Sequence, residues 1–70
     1  MAPSTAARVN INTADRKTLE QLPGIGRERA ERIIEYRTKY GAFRKPEHLL
    51  MVQGISANRL QELLPLVTVE

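Results

Sequence analysis

Apolar residues fall along the chain in short clusters set apart by glycine and proline, the spacing of several short helices joined by tight turns. Asn12-Thr13 offers an N-cap, and a short helix is predicted over residues 14–22, with Asp15 in its first turn where the helix dipole favours an acid. Pro23-Gly24-Ile25-Gly26 breaks that helix. A longer one is predicted from about Arg27 to Tyr40, because Ala30, Ile33 and Ile34 recur at helical spacing and Gly41 is a natural stop. Pairs four residues apart, Arg27–Glu31, Glu28–Arg32 and Glu35–Lys39, lace its outer face. Pro46 suits the first turn of a third short helix running through Leu49-Leu50. Gln53-Gly54-Ile55-Ser56 breaks it, Ser56 caps a fourth helix over residues 57–64, and Pro65 ends that one. Residues 66–69 and 8–11 are β-prone and extended, so the two ends are expected to pair.

The pattern repeats. Shifting the chain by 30 residues lays Leu19 on Leu49, Leu22 on Val52, Gly24 on Gly54, Ile25 on Ile55, Arg29 on Arg59, Ala30 on Leu60 and Ile33-Ile34 on Leu63-Leu64. Each copy is a short helix, a glycine hairpin holding one isoleucine, and a second helix. Neither copy can bury its apolar stripe alone, so the two are expected to pack into one four-helix core. This predicts a single all-α domain over residues 8–70, with repeats at about 13–40 and 46–65.

Composition narrows the chemistry. Seventy residues suit one small domain, and 41% hydrophobic content is that of a folded chain, not a disordered tail. Cysteine is absent, which excludes disulfide staples, thiolate metal sites and thiol catalysis. The net charge of +3 is uneven: residues 8–45 hold 10 basic and 5 acidic side chains, and residues 46–70 hold 1 and 3. That surplus suits an anionic partner without requiring one. No segment approaches the roughly 18 consecutive apolar residues of a membrane span. Residues 1–7 lack the charged and apolar regions of a signal peptide and read as a flexible leader or linker, so the chain is expected to be soluble and to touch no membrane itself.

The first hairpin carries the candidate chemistry. Pro23 restricts φ, Gly24 and Gly26 permit close backbone approach, and Ile25 is expected to point inward as an anchor. The amides of Gly26, Arg27 and Glu28 then lie unpaired at the positive end of a helix dipole, the chemistry of a phosphate site. Arg27 and Arg29 border it and add charge-assisted contacts. A glycine hairpin also serves merely to turn a chain, but turning needs one glycine, and this element has two and recurs beside an arginine. Lys17, Arg37, Lys39 and the adjacent pair Arg44 and Lys45 are further candidates for phosphate contact, whereas Arg32 is expected to pair with Glu28. Tyr36, Tyr40 and Phe43 cluster at one helix end and read as core sealing the junction between repeats, not as a base-stacking platform. His48 has no partners at catalytic or ligand spacing and reads as a surface or half-buried helix residue.

These residues carry a resemblance. Leu22-Pro23-Gly24-Ile25-Gly26, followed by Ala30 and Ile33, resembles the helix-hairpin-helix motif, a sequence-nonspecific binder of the DNA backbone. A wider string is similar to the DNA-binding domain of the ComEA family, bacterial competence receptors for incoming double-stranded DNA. It comprises Val9-Asn10-Ile11-Asn12-Thr13-Ala14, Leu19-x-x-Leu22-Pro23-Gly24-Ile25-Gly26, Ile33-x-x-Tyr36-Arg37, Gly41-x-Phe43 and Leu49-Leu50-x-Val52-x-Gly54-Ile55. The resemblance implies a tandem helix-hairpin-helix fold, four or five short helices in one core like the small SAM-like and DNA-polymerase-β-like domains. It implies a non-enzymatic protein that grips phosphates of duplex DNA across the minor groove, with no cofactor. Amide donors carried over by position are Gly24, Gly26 and Arg27 in the first hairpin and Gly54, Ser56 and Ala57 in the second, with Arg29, Arg59, Arg44 and Lys45 as charged contacts. Some such motifs hold a monovalent cation on hairpin carbonyls, which here correspond to those of Glu20, Leu22 and Ile25. The second hairpin departs from the pattern at Gln53 and Ser56, so it is expected to add less affinity. The resemblance also implies an exported parent, periplasmic or membrane-anchored, working with other DNA-uptake proteins. The alternative is a protein-interaction or structural module of the same fold.

Overall fold

The computed structural model describes residues 8–70; the expected leader, residues 1–7, lies outside the described residues. In chain order the elements are strand β1 (Val9–Asn10), helix α1 (Arg16–Leu19), helix α2 (Arg27–Tyr40), a 3-10 helix (Pro46–Met51), helix α3 (Ala57–Leu63), a 3-10 turn (Leu64–Leu66) and strand β2 (Val67–Thr68). The fold is helical around one core, and the two ends meet as a parallel pair with Val9 opposite Val67 and Asn10 opposite Thr68.

The 30-residue repeat is the plan of that core. Leu19 and Leu49, Leu22 and Val52, Ile25 and Ile55, Ala30 and Leu60, and Ile33 and Leu63 are all buried, and Ile34 and Leu64 both pack on its edge. The backbone repeats as well. Leu22 N–H donates to Leu19 C=O at 3.1 Å as Val52 does to Leu49 at 3.0 Å, and Ile25 donates to Leu22 at 3.1 Å as Ile55 does to Val52 at 3.2 Å. Burying such a side chain contributes on the order of 2 kcal/mol, and each copy supplies half of the surface the other covers.

α1 is shorter than the expected 14–22 because its cap lies further along. Asp15, not Asn12, is the N-cap: its carboxylate accepts the Thr18 N–H at 2.9 Å. That backbone bond, ahead of the Thr18 hydroxyl and the charge of Lys17, holds the Asp15 carboxyl below its ordinary 3.8. The bond's contribution to stability is therefore present at neutral pH and disappears in acid, as pH falls through the lowered value. Beyond Leu19 the chain tightens into three-residue turns leading to the hairpin.

α2 keeps its expected bounds. Gly41 closes it at φ +94°, donating its N–H to Arg37 C=O at 3.0 Å. Arg27–Glu31 and Arg32–Glu28 pair at 3.4 and 3.2 Å; Glu35–Lys39 does not form an ion pair among the described residues, and an unforeseen pair, Arg16–Glu20, closes at 2.7 Å. The third helix is 3-10, and α3 ends at Leu63, where Pro65 draws the next three residues into a 3-10 turn. Of the aromatic cluster, Phe43 is buried and stacks on half-buried Tyr36 with centroids 5.0 Å apart. Tyr40 is not core: it is 65% exposed, because the last turn of α2 runs past the packed layer, and Lys39 Nζ lies 5.4 Å from its ring centroid.

Asn12 has a different role from capping. Its Oδ1 accepts Phe43 N–H at 2.7 Å and its Nδ2 donates to Phe43 C=O at 3.0 Å and to Glu70 C=O at 3.5 Å. One amide thus satisfies both backbone groups of Phe43 and ties the first turn to the connector between repeats and to Glu70, beyond β2. Arg37 adds a bond from Nη1 to Ile11 C=O at 2.9 Å. Replacing Asn12 by alanine leaves both Phe43 groups without their partner, and urea denaturation should show a loss of about 2 kcal/mol. Asn12→Asp sets a carboxylate oxygen against the Phe43 and Glu70 carbonyls where the donor stood, so it should not recover the loss.

Candidate functional site

The two hairpins are one backbone conformation made twice. Gly24 and Gly54 take φ of +73° and +99°, where a Cβ is strained, and these are the residues that turn the chain. Gly26 and Ser56 are the N-caps of α2 and α3 at φ/ψ of −89°/−170° and −85°/166°, extended backbone open to any residue. Gly26 is therefore not required for the turn, which Gly24 alone makes. A Cβ built there meets nothing within 4 Å, so what glycine leaves at Gly26 is open space in front of the helix. Ile25 and Ile55 are buried beneath the turns as anchors.

Above those anchors the backbone donors are free. Among the described residues the amides of Gly24, Gly26, Arg27, Glu28 and Arg29 have no hydrogen-bond partner; the first amide of this stretch to be paired is Ala30, which donates to Gly26 C=O at 2.9 Å. In the second hairpin the amides of Gly54, Ser56, Ala57 and Asn58 are likewise free, but Arg59 N–H is taken by Ser56 Oγ at 3.2 Å. The Ser56 hydroxyl stabilises its helix by capping it, while the first helix keeps one more donor available. Both hairpins present unpaired amides at the positive end of a helix dipole, the arrangement that receives an oxyanion.

The arginines are placed differently from their order along the chain. Arg29 does not flank its own hairpin: its Nε donates to Gly54 C=O at 2.8 Å, in the other repeat. Arg32 pairs with Glu28, as expected, and also reaches Gln53 C=O at 3.4 Å. In the opposite direction the Arg59 guanidinium lies over Gly24, where a Cβ would overlap it, and is held by Glu62. Each repeat thus sends the equivalent arginine of its second helix to the partner hairpin. Arg27 alone among the arginines beside the hairpins stands outward, with 75% of its side chain exposed and Glu31 at 3.4 Å.

Other candidate cations lie elsewhere. Arg44 and Lys45 are exposed in the connector past the far end of α2, a helix length of about 20 Å from the first hairpin. Lys45 is the N-cap of the 3-10 helix that leads into the second hairpin. Arg37 is engaged with Ile11 C=O, Lys17 is exposed on α1, and Lys39 stands beside Tyr40. Position in the chain identified the hairpins, but it carried no sign that Arg29 and Arg59 cross between repeats. Their equal placement in a duplicated unit is the signal that was there to use, because two copies facing one another exchange such contacts.

Two helices joined by a glycine hairpin, duplicated about one core, define the class of this domain. The chain belongs to the helix-hairpin-helix family, whose profile, described as the helix-hairpin-helix motif, matches residues 4–68. It is similar to the endonuclease/exonuclease/phosphatase family domain-containing protein 1 of Xenopus laevis and of Homo sapiens, 46% identical over 55 residues in each, which is 79% of this chain and 10% of theirs. It is also similar to ComE operon protein 1 of Bacillus subtilis, 38% identical over 64 residues, 91% of this chain and 31% of that protein. The chain spans about a tenth of the length of the vertebrate relatives it matches.

The two glycines of the first hairpin separate in a stability measurement. Gly24→Ala places a Cβ at φ +73° and against Arg59, and thermal unfolding should show a loss of about 1–2 kcal/mol. Gly26→Ala meets no neighbour and gives up only a favoured N-cap residue, so it should cost less, under about 1 kcal/mol.

Proposed function

We propose that this chain binds double-stranded DNA without sequence preference, holding backbone phosphates on its two hairpins, as the DNA receptor of a bacterial uptake system does. The observation that carries the reading is the pair of free-amide hairpins, cross-tied by arginine and set side by side on one core. A phosphate at each hairpin accepts from the backbone amides and gains from the helix dipole, and at the first hairpin Arg27 supplies a mobile cation in addition. Backbone donors read no base, which is why the binding carries no sequence preference. The first hairpin dominates, since it has the open space at Gly26 and the extra free amide. The second adds Gly54, Ser56 and Ala57.

The domain acts as a binding module and not as a catalyst. The enzyme family in the vertebrate relatives' name describes proteins of which the matched region is a tenth. The similarity to ComE operon protein 1 supports a place in competence, with the parent protein exported and tethered so that several weak grips on one DNA act together. A second reading, docking of a protein, draws on Tyr40, Leu50 and Met51, which are large, apolar and exposed.

A salt titration separates the two. With about four to six phosphates engaged, the log–log slope of duplex affinity against salt should be roughly −4 to −5, equal for unrelated sequences. Gly26→Val, which leaves the fold intact, should lower duplex affinity about tenfold, and Ser56→Val should lower it less. Binding that is missing at about 50 mM salt, or indifferent to salt, contradicts the DNA reading and leaves the docking one.

A further inference from the structure

The crossing of Arg29 has no part in holding its own helix together. An arginine on the exposed face of a helix ordinarily pairs with an acid three or four residues away, as Arg16, Arg27, Arg32 and Arg59 do here. Arg29 instead donates through Nε to Gly54 C=O at 2.8 Å, across 25 residues of chain. The carbonyl it holds belongs to the residue that turns the second hairpin, at φ +99°. Arg32 holds the adjacent carbonyl, Gln53, at 3.4 Å. At the other hairpin the Arg59 guanidinium occupies the space that a Gly24 side chain would fill and is steadied by Glu62. Both turning glycines are thus overlaid by arginine from the opposite repeat.

We propose that Arg29 and Arg59 are positioning residues that brace the two hairpins against each other, so that they meet DNA as one rigid unit with a set spacing. The inference rests on the duplex-binding reading and deepens it. In that reading the arginines of this position were expected to touch phosphate; the brace assigns them to the protein's own hairpins. Fixing the hairpin spacing before contact removes the ordering cost that two independently mobile turns carry on binding. The brace also gives Gly24 a second reason to lack a side chain, beside its positive φ, because a Cβ there overlaps the Arg59 guanidinium.

The test combines a measurement on the free protein with a double-mutant cycle on duplex binding. Arg29→Gln removes the guanidinium and keeps a helix-compatible side chain. In the free protein, ¹⁵N spectra and amide exchange should show Gly54 and Ile55 shifted and exchanging faster, with the core amides unchanged. On a random duplex the same variant should bind about tenfold more weakly. Ser56→Asp provides the second background, since aspartate still caps α3 but sets a carboxylate where the second hairpin receives phosphate. In that background Arg29→Gln should have almost no further effect, because the hairpin it positions is already out of use. Equal losses in both backgrounds mean that Arg29 touches DNA directly and overturn the brace. Unchanged Gly54 and Ile55 amides in the free protein overturn it as well. This arm needs no DNA, so failure of the brace is distinguishable from failure of the duplex reading.

Discussion

A half-domain of about 30 residues whose apolar stripe has nothing to face is unstable, and packing it against a second copy of itself supplies the missing surface. Everything else in this fold follows from that packing. Leu19, Ile33, Leu49 and Leu63 are buried together, so the helices that carry them lie side by side. The hairpins between those helices are brought to the same neighbourhood, and the equivalent arginines cross from one to the other. Without cysteine to staple it, a domain of this size needs both copies to make one core.

Within each hairpin two tasks that glycine performs are divided between two positions. Gly24 and Gly54 bend the chain, which positive φ demands. Gly26 and Ser56 start a helix in ordinary extended backbone, and there the choice of residue decides how closely another molecule approaches. Glycine leaves that approach open and the amide of Arg29 free; serine closes one donor and stabilises its helix. The asymmetry between the repeats is thus an exchange of access for stability at a single side chain. It lies in the same half of the chain as the basic surplus.

Much of this was legible in the sequence because periodicity and punctuation are local signals. The 30-residue repeat predicted the core pair by pair, and α2 begins and ends where helical spacing and Gly41 place it. What was missed depends on residues distant along the chain. Asn12 looks like an N-cap until the Phe43 backbone, 31 residues away, arrives to occupy its amide, and Asp15 then takes the cap. Tyr40 reads as core by its neighbours, yet α2 carries it past the packed layer. Arg29 reads as a flank of its own hairpin, and only the facing of the two copies sends it to the other. Arg44 and Lys45 stood out for charge alone, which says nothing of the distance that α2 sets between them and the first hairpin.

The central claim is that both hairpins, and not the remainder of the basic surface, receive the DNA backbone. It is tested most directly by titrating ¹⁵N-labelled protein with a random duplex and following every amide. The account predicts that Gly24, Gly26, Arg27, Gly54, Ser56 and Ala57 move together in one binding event, the first three furthest, while Tyr40 stays in place. Shifts confined to the connector around Arg44 and Lys45, or spread over the exposed face of Tyr40 and Met51 with still hairpins, contradict it.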